Sequence, residues 1–198
     1  MRITKRRWLI LTILVLTSVI VVMAYLFNRK RLCVPSQDLT EIVETGDLVF
    51  SAGESIRSDI VRFMNADSEC EYSHIGLVIK GESDYKIVHM SSDLGYIVSQ
   101  SIDDFIETSD SYRLGIYRIE RAIDKDQMKV IVKSLLQDNK KFDDAFDIND
   151  DSEYYCTEFI YKVFRDLGSE VYHDFKFKEY ILPNDIINSV SMHKIVEI

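Results

Sequence analysis

The sequence predicts an α+β domain in which an antiparallel β-sheet packs against helices. Runs with strand character follow one another between residues 73 and 119, and helical periodicity returns in residues 124–142 and 152–167. A meander of strands followed by helices is expected to place the helices on one side of the sheet. The 198 residues and 46% hydrophobic content allow one domain with a proper core and an appendage.

The first elements of the domain follow from the stretch TGDLVFSAGES. It predicts a strand near residues 47–51 that ends at Gly53, and then a helix from about Ser55 to Asn65 with Ser55 as N-cap. We expect the helix to bury an apolar face formed by residues at helical spacing, namely Ile56, Ile60, Phe63 and Met64.

The meander consists of four strands at residues 73–80, 85–91, 95–101 and 112–119. A hairpin turn centred on Gly81-Glu82 pairs residues whose numbers add to 163, which places His74 directly opposite His89. With a four-residue loop at 81–84 the numbers of paired residues add to 165, and the two histidines become diagonal neighbours. In both registers the two imidazoles lie on one face of the sheet.

Two helices follow the meander. Asp124 is a fitting N-cap for the first, whose apolar side is Met128, Ile131, Val132, Leu135 and Leu136. The second is predicted over 152–167, with Gly168 just past its end. Because Asp150, Asp151 and Ser152 are all N-cap residue types, we expect this helix to start one or two turns before Cys156.

The N-terminal segment has the features of a transmembrane anchor. Residues 8–27 form an uncharged apolar run of 20 residues, long enough as a helix to span a bilayer core of about 30 Å. Four cations precede it, so a cleaved signal peptide is the alternative, although the run exceeds the usual apolar region and lacks a small-x-small cleavage site. We expect a single-pass membrane protein with its N-terminus inside and its domain extracytoplasmic, the cytoplasmic face being the alternative.

The chain therefore divides into an anchor with its basic flank (residues 1–27), a polar tether (28–40) and one domain (41–198). The formal net charge is −9, and without the seven cations that flank the anchor the remainder carries 17 Lys+Arg against 33 Asp+Glu. Such an acidic surface repels phosphate backbones, which argues against a nucleic-acid partner. The oligomeric state is not encoded in any pattern that we can identify.

Cys156, His74 and His89 are the candidate catalytic residues. One imidazole can take a proton from the thiol while the second fixes the tautomer of the first. A cysteine near a helix N-terminus is expected to have a lowered pKa, because unpaired N–H groups favour the thiolate. His173 and His193, isolated among charges, are expected at the surface.

Two other interpretations of these residues stay open. A cysteine on the apolar face of a helix commonly serves packing alone. Cys70, His74, His89 and Cys156 could instead bind zinc, although only one Cys-x-x-x-His pair exists and no second close pair completes it. Of the three cysteines, Cys33, Cys70 and Cys156, at least one must be free because the number is odd.

Five stretches resemble the permuted papain-like amidases of the YaeF/YiiX type, relatives of the NlpC-type cysteine hydrolases. They are TGDLVF, YSHIGLVI, FDDAFD, YYCTEFIYKVF and ILPNDIINS, which spread over roughly residues 42–190. The resemblance implies a circularly permuted papain-like fold, with a sheet or small barrel packed on helices, and it makes Cys156 the nucleophile and His74 the base. Many relatives have a glutamate on the strand after the histidine. The matching stretch KIVHMSS has His89 instead, which is similar to the lecithin:retinol acyltransferases.

The resemblance implies a membrane-anchored cysteine hydrolase that cleaves amide or ester bonds through a thioester, with cell-wall peptides as one substrate option. A lipid acyl hydrolase or acyltransferase is the alternative, as is a domain that binds such ligands without catalysis. No metal or organic cofactor is required. The oxyanion would be held by the Cys156 backbone N–H and a second donor, for which Tyr154 and Tyr155 are the candidates.

Overall fold

The computed structural model describes residues 8, 12–20, 39–64, 71–109, 111–177, 179–189 and 191–198. The chain separates into two compact units, Met1–Arg31 and Leu32–Ile198. In the first unit residues 12–20 are helical and exposed. Within the described part of the chain, no helix combines the length and apolar character needed to cross a membrane. Half of the predicted 8–27 span lies outside the described residues, as do Cys33 and Cys70.

The second unit contains an eight-stranded sheet among its described residues. Its strands are β1 (Leu48–Gly53), β2 (His74–Lys80), β3 (Tyr85–Ser91), β4 (Tyr96–Gln100), β5 (Ser111–Ile119), β6 (Lys141–Phe142), β7 (Glu153–Tyr154) and β8 (Met192–Glu197). Their spatial order is β7-β6-β4-β3-β2-β1-β5-β8, and all neighbours are antiparallel except β6 and β7. The helices are α1 (Ile56–Met64), α2 (Ile102–Thr108), α3 (Lys125–Asp138), α4 (Cys156–Asp166) and α5 (Pro183–Ser189), with a 3₁₀ turn at Glu170–Asp174.

Both faces of the sheet carry a hydrophobic core, because side chains of successive strand residues point to opposite faces. On one face, strand residues such as Leu48 and Leu77 pack with α3 and α4, as the α+β prediction expects. On the other face, Val78 and Ile87 pack with α2 through Phe105. The expectation that the helices lie on one side is therefore correct for α3 and α4 but misses α2.

The hairpin between β2 and β3 has the four-residue loop, not the two-residue turn. Leu77 pairs with Val88 and Lys80 with Tyr85, so paired residue numbers add to 165. The Gly81 N–H donates to the Asp84 carbonyl across the loop at 2.7 Å. His74 and His89 are accordingly diagonal neighbours on the face that packs against α2.

The predicted start of the last helix is wrong by about one turn. Helix α4 begins at Cys156, with Tyr155 as N-cap. Residues Glu153–Tyr154 cannot be helical because they form strand β7 beside β6. The acidic residues before them cap a turn instead, where the Asp150 carboxylate accepts from the Ser152 N–H at 2.8 Å. This arrangement places the cysteine in the first turn of α4.

The predicted buried face of α1 is wrong at Ile60 and Phe63. Ser55 caps the helix as expected, because its Oγ accepts from the Ser58 N–H at 3.0 Å. However, Ile60 and Phe63 are 49% and 81% exposed, whereas Val61 is buried. The helix is held to the end of β1 by Arg62, which donates to the Gly53 carbonyl. Its Ile60–Phe63 side is therefore left open to solvent.

Candidate active site

Cys156, His74 and His89 line one cavity of about 250 Å³. The other parts of the wall are helix α1, the end of α2, the ends of β1 and β3, and the segment around Phe142 and Phe146. Serine is the commonest lining residue, at positions 55, 58, 73, 91, 92 and 109. The structure thus brings together the three residues that sequence predicts for the site, although they are separated by up to 82 positions in the chain.

The two imidazoles are hydrogen-bonded to each other. His74 Nε2 lies 2.8 Å from His89 Nδ1, and the rings meet edge to face at 4.9 Å between centroids. Phe105 of α2 stacks on His74 at 5.6 Å and meets His89 edge-on at 4.9 Å. Gly76 makes this packing possible, because a Cβ there would lie 2.4 Å from Ile87 Cγ2 and 3.3 Å from the Phe105 ring. The pair is therefore held by both its hydrogen bond and its aromatic neighbour.

Gln100 is a site residue that the sequence analysis missed. Its Oε1 lies 2.7 Å from His89 Nε2, at the last position of β4. In the β3–β4 register Gln100 pairs with Ile87, so its side chain lies on the same face as His89, diagonally across the strand pair. The signal available in the sequence was the alternation of β4, which assigns Gln100 to the histidine face once the strand register is known.

Cys156 is almost buried, with 8% of its surface exposed. Desolvation raises the pKa of its thiol to about 11. The backbone N–H of Thr157, in the first turn of α4, opposes this shift as a helix N-terminus should, and so does the N–H of Ile75 on β2. The expectation of a lowered Cys156 pKa is therefore wrong for the resting protein, in which the sulfur is a neutral thiol. The hydrogen bond with the Ile75 backbone places this sulfur beside the peptide bond that follows His74.

Both histidines are neutral at physiological pH. Burial lowers the pKa of His74 well below 6.5, and the neighbouring His89 lowers it further. Burial also lowers the pKa of His89, against the opposing effect of its hydrogen bonds with Gln100 and the Met90 backbone. The resting site thus consists of a neutral thiol and neutral imidazoles, and an imidazole can accept a proton only as the sulfur attacks.

The buried histidines predict acid destabilisation. In the unfolded chain each titrates near its ordinary pKa of about 6.5. Below that pH the unfolded state binds more protons than the folded state, so the free energy of unfolding falls as the pH falls. We expect urea midpoints to drop between pH 7.5 and pH 5, and His89→Gln to reduce that drop. The exposed His173 supplies the control variant His173→Gln, which should show the same drop in the urea midpoint as the wild type. Equal drops in the wild type, His89→Gln and His173→Gln would contradict the claim that buried His89 contributes to the acid destabilisation.

Neither tyrosine proposed as the second oxyanion donor lines the cavity. The Tyr155 hydroxyl accepts from the Ile181 N–H at 2.9 Å, and Tyr155 is 1% exposed. The Tyr154 ring lies near the ammonium groups of Lys140 and Lys162. The hydroxyl that does line the cavity next to His74 belongs to Ser73, which is 5% exposed and accepts from the Gly53 N–H.

The remaining candidates fall outside the cavity or outside the described residues. Cys70, one of the four ligands in the zinc interpretation, lies in the stretch 65–70 that the structure does not describe. Among the described residues, no three His, Cys, Asp or Glu side chains are placed to hold a metal ion. His173 and His193 are exposed, as predicted.

Comparison with known proteins finds similarity to a protein family and to solved structures. The family model described as "Permuted papain-like amidase enzyme, YaeF/YiiX, C92 family" matches residues 42–196. A crystal structure described as that of the metalloprotein yiiX from Escherichia coli O157:H7 matches with a TM-score of 0.65 and 16% identity, over 79% of this chain and 98% of that one. At this identity the structural likeness shows the fold alone. No curated protein matches the chain.

Proposed function

Because the chain belongs to the permuted papain-like amidase family of YaeF/YiiX type, whose members are cysteine hydrolases, we propose that it hydrolyses peptide-type amide bonds at Cys156. Family membership confirms the resemblance and the permuted papain-like fold. The observation that supports the assignment of residues is the shared cavity. It joins a cysteine at the first turn of α4 to a hydrogen-bonded histidine pair.

In the proposed reaction His74 is the base. Its Nε2 is engaged with His89, so the other ring nitrogen, Nδ1, takes the proton from the Cys156 thiol as the sulfur bonds to the substrate carbonyl carbon. The tetrahedral oxyanion is stabilised by N–H groups at the α4 N-terminus. His74 then returns the proton to the amine as the C–N bond breaks, which leaves a thioester on Cys156.

The second half of the reaction restores the thiol. Water attacks the thioester carbonyl while His74 Nδ1 takes its proton, and the same proton returns to the sulfur as the C–S bond breaks. The products are a carboxylic acid and an amine, and the enzyme ends in its starting protonation state. His89 acts through His74 by keeping its ring oriented and by stabilising the imidazolium that forms transiently.

Apolar atoms supply most of the cavity lining, and polar groups placed among them favour a peptide over a long acyl chain. The wall is rich in serine hydroxyls, and Arg57 crosses to the opposite wall, where it donates to the Ser92 carbonyl at 3.1 Å and pairs with Asp144 at 3.2 Å. These groups match the polar backbone of a peptide, with cell-wall peptides as one option. A lipid acyl bond is the second candidate, favoured by the exposed Ile60 and Phe63 on the helix that lines the cavity.

No metal step enters the proposed reaction. The yiiX structure is described as that of a metalloprotein. In the described part of this chain the facing nitrogens of His74 and His89 lie 2.8 Å apart, and no third ligand group accompanies them. An ion at this point would have to break the histidine pair, so the arrangement does not fit a metal site.

We further propose that residues 8–27 anchor the protein in a membrane, with the hydrolase domain on the extracytoplasmic side. The support is the uncharged 20-residue run and the exposure of apolar side chains within residues 12–20, such as Leu14 at 59% and Ile20 at 64%. Extraction of membranes with alkaline carbonate tests this proposal. An anchored protein stays in the pellet and a variant without residues 1–31 is released, whereas release of the full chain would contradict it.

A panel of simple substrates tests the hydrolase assignment and its substrate class. We expect cleavage of aminoacyl p-nitroanilides and of p-nitrophenyl acetate, and little cleavage of p-nitrophenyl laurate, because a cavity of about 250 Å³ is small for a long acyl chain. Preference for the laurate ester would favour the lipid acyl candidate. No turnover of any substrate, together with equally slow iodoacetamide labelling of all three cysteines, would favour a non-catalytic binding domain.

A further inference from the structure

We propose that Gln100 is a positioning residue that sets the tautomers of both histidines, so that His74 keeps an unprotonated Nδ1 for the thiol. This inference rests on the proposed function, since it concerns the proton path of the same site. It adds a fourth member to the cysteine and the two histidines. The feature that carries it is a continuous hydrogen-bonded chain from Gln100 through His89 to His74.

The direction of the chain follows from its terminal acceptor. An amide oxygen can only accept, so the bond of 2.7 Å from Gln100 Oε1 requires a proton on His89 Nε2. A neutral imidazole has one N–H, which makes His89 Nδ1 an acceptor. The contact of 2.8 Å from Nδ1 to His74 then requires the proton of His74 on Nε2. His74 Nδ1 is therefore left without a proton, as a general base must be.

Without the amide oxygen the chain would run in the opposite direction. If His89 Nε2 faces an apolar side chain, a buried N–H there loses its partner, which is costly. His89 avoids this cost by moving its proton to Nδ1, where it donates to His74 Nε2. His74 must then hold its proton on Nδ1, which converts the nitrogen intended as the base into a donor. Gln100 thus controls the reactivity of a ring that it does not touch.

The surroundings of the two imidazole rings hold them in place and offer them few other polar partners. His89 is 3% exposed, and Phe105 packs against both imidazoles. The groups that act on the two rings are each other, the Gln100 amide and the Met90 backbone, and no charged side chain is among them. The neutral pair has two possible proton arrangements, and the hydrogen bond to the Gln100 oxygen selects one of them.

The test replaces Gln100 by Met, which has a similar length but no carbonyl oxygen. With p-nitrophenyl acetate as substrate and the full chain, we expect kcat to fall on the order of a hundredfold while KM changes little, because the wrong tautomer removes the base and not the binding surface. Ser99→Ala is the matched control, since Ser99 is the exposed neighbour of Gln100 on β4 and should leave kcat unchanged.

Ring-nitrogen NMR supplies a readout that a merely structural role would not move. In the wild-type protein the 15N shifts of both histidines should show a protonated Nε2 and an unprotonated Nδ1. In Gln100→Met both histidines should instead show a protonated Nδ1 and an unprotonated Nε2. Unchanged tautomers in a folded Gln100→Met protein would overturn the inference, even if Cys156 and His74 prove essential. Loss of activity only in the Cys156 and His74 variants would likewise leave the proposed function intact and remove Gln100 from it.

Gln100→Glu is the second variant, which keeps an acceptor at the same place. A carboxylate beside His89 Nε2 raises the pKa of that ring, and a doubly protonated His89 would donate to His74 and cause the wrong tautomer. We therefore expect a kcat close to that of the wild type at alkaline pH. On acidification, kcat should begin to fall at a higher pH than in the wild type. A profile parallel to that of the wild type, or no recovery at alkaline pH, would contradict the inference.

Discussion

Replacement of Cys156 by serine is expected to reduce hydrolysis of p-nitrophenyl acetate and aminoacyl p-nitroanilides by about 10⁴-fold or more. The physical reason is the loss of the nucleophile: a serine hydroxyl is far less acidic than a thiol, and a neutral imidazole with a lowered pKa is a weak base for it. The fold should survive, because the smaller hydroxyl fits the space of the thiol and can hydrogen-bond with the N–H groups at the helix N-terminus.

The other two thiols provide the matched controls for this change. Cys33→Ser and Cys70→Ser make the same chemical replacement, and we expect both to keep wild-type rates. Circular dichroism and thermal unfolding verify that Cys156→Ser remains folded. Turnover by a folded Cys156→Ser protein within tenfold of the wild type would remove Cys156 from the reaction and with it the proposed mechanism.

Replacement of His74 by glutamine is expected to lower kcat/KM by about 10²–10⁴-fold, the usual contribution of a general base. The thiol has a pKa raised to about 11, so without His74 little thiolate exists at neutral pH. We expect the loss to shrink at alkaline pH, where the thiol ionises by itself. The measurement is the pH profile of kcat/KM for both proteins.

The direction in which the wild-type kcat/KM changes with pH follows from the lowered pKa of His74. Because its pKa lies below 6.5, the imidazole remains an available base at neutral pH, and activity should fall only on further acidification. The exposed His193 provides the control His193→Gln, which should follow the wild-type profile throughout. A His74→Gln protein whose rate stays within threefold of the wild type at neutral pH would contradict the assignment of His74 as the base.

The central part of the fold could be predicted from sequence because its elements have strong local signals. Strands β1–β5 and the helix after Asp124 agree with their alternation, periodicity and capping residues. The Asp124 carboxylate accepts from two N–H groups of the first turn, as its position indicates. The two-residue strands β6 and β7 were missed because they are fixed by tertiary pairing rather than by a pattern. The longer elements α2, α5 and β8 were also missed.

The three candidate residues could be chosen from sequence, but their chemistry could not. The face shared by His74 and His89 follows from strand alternation in either register, which is why the prediction did not depend on the turn. The pKa of Cys156 depends on how much of the surrounding protein excludes water, and that is a property of packing. The exposed side of α1 shows the same limit, because helical periodicity identifies an apolar face and does not say what covers it.

The most direct test of the account is to trap the acyl intermediate. Full-length protein mixed with p-nitrophenyl acetate and quenched in acid should show one added acetyl group on the peptide that contains Cys156, identified by mass spectrometry. Under the same conditions His74→Gln should show a much slower appearance of that adduct. Sustained turnover with no acetyl group on Cys156, or equal acetylation of Cys33, Cys70 and Cys156, would contradict the claim that this thiol and its histidine form the catalytic centre.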